Sequence, residues 1–336
     1  MQEIVSLEPN KGGGSMKNSN AILFSLTSSV ELTKEVSRLS GYPIGDNEIR
    51  HFADGEIIIE NNTTVRGKNV YIIQSTSAPA TERLFELLIF LDGLRRASAR
   101  TITVIIPYYG YARQDRKSKP REPITARLVA DMIQLAGADH VMILDLHATQ
   151  IQGFFTCPVD DLSAIKLFAK HYRHHPNINL KEVVIASPDH GGTTRARNLA
   201  NELKIHEIAV IDKFRRRPNQ IEKMNVIGNV EGKSVILIDD IIDTANTLVE
   251  ASNKLLESGA TEVYVCASHG VFSYDATDKI LKSKIKEVVI TDSITLSEEK
   301  ANKKIKVLSI APLLANAITL IENRGSLSTM YKVYED

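Results

Sequence analysis

The feature that most limits what this chain can fold into is an alternation. Short apolar runs (AILFSL, NVYIIQS, ITVIIPYY, HVMILDL, EVVIASP, SVILIDD, EVYVCAS and EVVITDS) are separated by amphipathic helical segments such as TERLFELLIFLDGLRRAS, TARLVADMIQLAG and TLVEASNKLLESGA. A run that is apolar at nearly every position reads as a strand buried on both faces. Strands alternating with helices imply an α/β fold, a mostly parallel sheet flanked by helices, with ligands at the carboxyl ends of the strands.

The pattern also repeats. VRGKNVYIIQ (65–74) aligns with VEGKSVILID (230–239), about 165 residues later, and each copy continues into a helix and a further strand. This predicts two copies of one α/β unit, which 336 residues can accommodate. We assign 16–165 to the first domain and 166–336 to the second. Residues 1–15 read as a flexible extension or remnant outside the fold, because EPNKGGGSMKNSN has linker composition and Met16 precedes the first convincing strand.

Charge excludes some classes of partner. Lys+Arg and Asp+Glu both number 41, so no net field favours nucleic acid or an anionic membrane. No apolar run approaches the roughly 18–20 residues that span a bilayer, and the start carries Glu3 and Glu8 with no apolar signal core. Cys157 and Cys266 lack metal-ligand spacing and read as reduced thiols. A soluble cytoplasmic protein is expected.

Chemistry-bearing residues gather at the ends of predicted strands. ILDLHATQ ends one with Asp145 and His147, IASPDHGG another with Asp189 and His190, and YARQDRK follows a third with Arg113 and Gln114. IDKFRRRP supplies Lys213, Arg215, Arg216 and Arg217 in an expected loop. An isolated Asp-x-His is more often a cap, and a basic cluster more often a solvated loop. Several such signals on one sheet edge favour a site. Hard oxygen donors with one imidazole suit Mg²⁺ rather than a structural zinc, and arginine with lysine suits charge developing on phosphate. Neither G-x-x-x-x-G-K-[ST] nor G-x-G-x-x-G occurs, which argues against a P-loop or dinucleotide site.

The stretch VILIDDIIDTANT places three carboxylates where a strand turns into a helix. The turn after Asp243 can direct backbone N–H groups and the Thr244 and Thr247 hydroxyls at a phosphate. Asp239 and Asp240 lie on the strand side, where they can accept sugar hydroxyls or hold hydrated Mg²⁺. A sugar phosphate satisfies both ends at once.

This stretch resembles the phosphoribosyl pyrophosphate loop of type I phosphoribosyltransferases. With HFADGEIIIE, YARQDRK, DLHATQIQGFF, SPDHGGTTRAR, IDKFRRRPN and GSLSTMY, the chain from about Met16 resembles the ribose-phosphate diphosphokinases of the bacterial class I type. The resemblance implies two tandem phosphoribosyltransferase-like domains that transfer the β,γ-diphosphoryl group of MgATP to the C1 hydroxyl of ribose 5-phosphate. It implies that Phe52, Asp54, Gly55 and Glu56 reach the adenine nucleotide of a neighbouring subunit, and that Arg113 and Gln114 also contact ATP. It further implies Mg²⁺ at His147 and Asp189, and ribose 5-phosphate at Arg215, Asp239, Asp243, Thr244, Ala245, Asn246 and Thr247. Lys213 and Arg215 would stabilise the transferring group from a mobile loop. A homohexamer regulated by inorganic phosphate and ADP is the implied assembly.

Some positions depart from the family pattern. Its turn reads D-T-x-G-T, whereas Asn246 stands here at the glycine, so left-handed strain is expected at Asn246 and weaker sugar-phosphate binding with it. Pro120 replaces a serine in the regulator-binding loop, and Tyr274 with Asp275 replaces a Gly-Pro pair. Two other readings compete: a non-catalytic, synthetase-like regulatory subunit, and an ordinary phosphoribosyltransferase. The second leaves FADGE, YARQDR and the duplicated length unexplained.

Overall fold

The computed structural model describes residues 5–6, 20–214 and 223–335. The chain divides into two compact units, the first comprising 1–162, 293–295 and 309–333 and the second 163–292, 296–308 and 334–336.

In the first unit, β1 (Val5–Ser6), β3 (Asn47–His51) and β4 (Ile57–Asn61) form a small antiparallel sheet. Strands β2 (Ala21–Ser25), β5 (Asn69–Ile73), β6 (Thr101–Ile106), β7 (His140–Leu144) and β8 (Val159–Leu162) form a parallel sheet in the order β2-β5-β6-β7-β8. Helices α1 (Val30–Ser40), α2 (Ala80–Arg96) and α3 (Thr125–Ala136) connect them. The core joins Ile72 and Val104 of the sheet to Leu87 and Leu91 of α2, all fully buried.

The second unit opens with α4 (Ile165–Arg173) and builds a seven-stranded sheet from β9 (Val183–Ser187), β10 (Ile208–Phe214), β11 (Lys223–Ile227), β12 (Ser234–Ile242), β13 (Glu262–Gly270), β14 (Val288–Thr291) and β15 (Ile305–Leu308). Its order is β11-β10-β9-β12-β13-β14-β15, parallel except for the β10–β11 pair. Helices α5 (Thr193–Glu202), α6 (Asn246–Glu257) and α7 (Ala276–Lys282) lie between strands. Leu248, Ala251, Ser252 and Leu255 of α6 are buried at helical spacing, the stripe that the apolar pattern of the segment requires. The final helix, α8 (Ala311–Glu322), falls with the first unit.

The two copies match in backbone detail. Gly67 and Gly232 have φ of 72° and 70°, and their N–H groups donate at 2.9 Å to the carbonyls of Ser98 and Gly259, each lying just before the next strand. Lys68 and Lys233 N–H groups donate to the carbonyls of Val65 and Val230, both buried. A left-handed residue must follow each of these valines, and glycine meets that demand without strain. The order β2-β5-β6-β7-β8 is repeated as β9-β12-β13-β14-β15.

The structure corrects several expectations. Residues 309–333 belong with the first unit, not the second, because α8 packs on α1 and its Glu322 accepts the Tyr71 hydroxyl at 2.8 Å. Periodicity within one segment carries no record of which core a helix covers. Val5 and Ser6 pair with Ile49 and Glu48, so this part of the N-terminal segment joins a sheet edge rather than lying outside the fold. Lys213 is a strand residue, opposite Met224 of β11, rather than a loop residue.

Candidate active site

The second unit has its topological reversal between β9 and β12. The chain steps outward from β9 to β10 and β11, then returns to the other side of β9 for β12. The carboxyl ends of the two strands flanking such a reversal form a crevice. Asp189 follows β9, and Asp239 and Asp240 lie on β12, which runs on to Ile242.

The acids sit in an environment that resists their charge. Asp240 is 5 % exposed, and its backbone N–H donates to Asp239 Oδ1 at 2.9 Å. Burial, and then the neighbouring Asp240 charge, push the Asp239 carboxyl well above the usual carboxylate range. Arg195 opposes both effects: its Nη1 is 3.5 Å from Asp240 Oδ1 and 3.9 Å from Asp239 Oδ1. Sequence reasoning did not select Arg195, although it lies inside the SPDHGGTTRAR motif. Its position on the first turn of α5 was the available signal.

Beyond the acids the chain enters α6 through a strained residue. Ala245 is the N-cap and carries φ of 60°, while Asn246 is the first helical residue and is exposed. The left-handed position expected at Asn246 is therefore one residue earlier, because the helix already begins at Asn246. An alanine cap has no side-chain acceptor, so the first-turn N–H groups keep their capacity to bind an anion. Ser273 N–H donates to the Asp243 carbonyl at 3.0 Å and holds the turn in place. Thr244 and Thr247 are half-buried beside it.

Asp189 is exposed, and its Oδ1 accepts the Gly192 N–H at 3.0 Å. The adjacent His190 ring pairs with Asp212 of β10 at 3.0 Å, tying the β9 loop to the strand that carries Lys213. Of Lys213 the backbone alone is described, and Arg215 lies outside the described residues.

The first unit carries the remaining expected residues. Phe52, Asp54, Gly55 and Glu56 form the tip of the β3–β4 hairpin, closed by Phe52 N–H to the Glu56 carbonyl at 2.8 Å and by Gly55 at φ of 94°. Phe52 is 53 % exposed, a large apolar ring presented to solvent. Gly55 and Glu56 also line an open recess of about 950 Å³ with His51, Thr81 and Phe85. Arg113 and Gln114 follow β6; Gln114 Oε1 accepts the Thr125 hydroxyl at 2.6 Å, which holds the loop against α3. His147 is exposed beyond β7, two residues after Asp145, whose φ of 42° marks a strained strand end.

The first copy has lost the acids. Gln74 and Ser75 align with Asp239 and Asp240, and both are fully buried. Gln74 Oε1 accepts the Ser28 hydroxyl at 2.7 Å and its Nε2 donates to Glu86 at 3.0 Å, so buried hydrogen bonds within the unit fill this strand end.

Two copies of a parallel α/β unit, one ending in acids beside an uncapped helix N-terminus, frame the candidate site. Residues 21–137 match the N-terminal domain of ribose phosphate pyrophosphokinase, and residues 210–332 the phosphoribosyl synthetase-associated domain. The ribose-phosphate pyrophosphokinase of Bacillus subtilis is 52% identical over 312 residues, covering 93% of this chain and 97% of its own. That of Fusobacterium nucleatum is also 52% identical over 312 residues, covering 93% and 98%. The crystal structure of phosphoribosylpyrophosphate synthetase from Mycobacterium smegmatis superposes with a TM-score of 0.86 at 40% identity, covering 91% of this chain and all of that one. The chain belongs to the ribose-phosphate pyrophosphokinase family.

Proposed function

We infer that this protein transfers the β,γ-diphosphoryl group of ATP to the C1 hydroxyl of ribose 5-phosphate, releasing AMP and phosphoribosyl pyrophosphate for nucleotide biosynthesis. The observation that carries the reading is the acidic end of β12 running into the uncapped start of α6 at the sheet reversal. The first turn of α6, with the Thr244 and Thr247 hydroxyls, takes the 5-phosphate. Asp239 and Asp243 take the sugar hydroxyls, and Arg195 favours the ionised form of Asp239. The C1 oxygen then bonds to the β-phosphorus as the α–β bridge breaks toward AMP and the hydroxyl proton is lost.

Lys213 and Arg215 meet the charge that develops on the transferring group. Arg113 and Gln114 hold ATP, and the hairpin Phe52, Asp54, Gly55 and Glu56 serves the nucleotide of a neighbouring subunit in a homo-oligomer, a hexamer in our reading. The exposed carboxylate of Asp189 and imidazole of His147 are donors suited to a hydrated hard cation, each on its own unit. Mg²⁺, when bound, neutralises phosphate charge. Inorganic phosphate and ADP are the proposed effectors, and the cytoplasm the proposed compartment; no helix among the described residues is long and apolar enough to cross a membrane.

A regulatory subunit is the weaker reading, since full-length relatives are named as enzymes and the strand-end acids are intact. The test is to incubate the protein with ribose 5-phosphate, MgATP and inorganic phosphate and to separate the nucleotides. AMP formed in step with phosphoribosyl pyrophosphate supports diphosphoryl transfer. ADP formation, or ATP binding without turnover, overturns it.

A further inference from the structure

A second group of ligating side chains lies at the opposite ends of the strands from the acids of β12. His171 is on α4 and His175 just beyond its end; Glu287 immediately precedes β14 and so stands at the amino end of a parallel strand. We propose that His171, His175 and Glu287 form a binding site for a divalent transition-metal ion of the zinc class, separate from the Mg²⁺ of catalysis.

Geometry supports three ligands on one ion. Both imidazoles aim Nε2 at the same carboxylate oxygen, His171 at 3.0 Å and His175 at 3.5 Å from Glu287 Oε1. The three ligand atoms lie within 4.8 Å of one another, the one such group of His, Cys, Asp or Glu found among the described residues. Ligand bonds of about 2.0–2.1 Å put tetrahedral ligands roughly 3.3 Å apart, so a small rotation of each ring admits an ion between them. His175 lies two residues past the last residue of α4, and its ring packs edge-on against that of His171 with centroids 5.5 Å apart.

The surroundings hold the site in place. The histidine side chains are 7% and 8% exposed and that of Glu287 21%, which leaves access for a water as fourth ligand. The Tyr264 ring packs edge-on against His175 at 5.3 Å, and the His171 ring against Tyr172 at 5.0 Å. Glu262, bonded to the Tyr264 hydroxyl and to Lys286, adds negative charge nearby. Lys306 opposes a cation, but it is exposed and therefore screened. Two imidazoles with one carboxylate favour zinc over Mg²⁺, which prefers oxygen donors and retains its waters. A bound ion would pin the end of α4 to the start of β14 and stabilise the second unit.

The experiment uses the full chain, stripped of metal and held in excess Mg²⁺ so that the hard-oxygen sites are occupied. Zn²⁺ binding is measured by calorimetry, and Co²⁺ serves as the optical probe of coordination. The expected result is one ion per chain, a tetrahedral Co²⁺ absorption band and a higher melting temperature with Zn²⁺. His175→Asn and Glu287→Gln should each weaken binding about 100-fold and remove the band, while AMP formation in Mg²⁺ persists. If either variant fails to fold, His171→Asn decides by the same titration. Absence of Zn²⁺ binding in the parent, or undiminished binding in folded variants, overturns the proposal.

Discussion

Arg195 Nη1 stands 3.5 Å from Asp240 Oδ1, so a guanidinium from the first turn of α5 faces the acid pair on β12. Burial and the Asp240 charge raise the Asp239 carboxyl, whereas Arg195 lowers it. Removing that cation in Arg195→Gln raises Asp239 further, so its ionised fraction falls at any given pH. The acidic limb of the kcat/KM profile should therefore move to higher pH. A profile lying on that of the parent would show that Asp239 titrates independently of Arg195.

Asn246 is helical and exposed, so Asn246→Gly should cost a few tenths of a kcal/mol of helix stability. It should lower the KM for ribose 5-phosphate if the Asn side chain crowds the phosphate. An unchanged KM would assign the turn's affinity to its backbone alone.

Glu86 is 1 % exposed and accepts hydrogen bonds from the Thr27 hydroxyl, the Thr27 N–H and Gln74. Burial raises its pKa above the ordinary glutamate value. The folded state therefore binds the proton more tightly than the unfolded chain. Its contribution to stability is fully present below the unfolded value and declines as pH rises through the folded one. Glu86→Gln should abolish that slope and leave neutral-pH stability within about 1 kcal/mol of the parent. Chemical denaturation from pH 4 upward, run on both proteins, provides the comparison.

Lys213 lies on β10 opposite Met224, on the strand tied to the β9 loop through His190 and Asp212. Lys213→Ala should lower kcat by about 10²–10³ and change the KM for ATP only modestly, as expected of a charge felt mainly in the transition state. A large rise in KM with kcat intact would place the lysine in ground-state binding.

Phe52 exposes 53 % of its surface at the tip of the hairpin. Phe52→Ala should shift the melting temperature by no more than about 2 °C, because more than half of the residue is already exposed. The KM for ATP should rise if the ring serves a neighbour's nucleotide.

Strands and helices were legible wherever the period was clean. SVILIDD and EVYVCAS became β12 and β13, and TARLVADMIQLAG became α3, because each is buried on the faces that its pattern marks. The duplication was legible too, since Val65 with Gly67 and Val230 with Gly232 impose the same turn. Lys213 and Ala245 were less transparent. A strand that continues through charged residues reads as a loop, and the residue that turns left-handed depends on where the helix starts.

The linear sequence by itself determined the α/β class, the duplicated unit and the acidic strand end, because each rests on local periodicity or on motifs of a few adjacent residues. Tertiary structure alone decided that α8 covers the first unit, that Arg195 faces Asp240, and that His171 and His175 meet Glu287. These relationships join residues tens to hundreds of positions apart. Folding brings them together through packing of the whole chain, which no local spacing records.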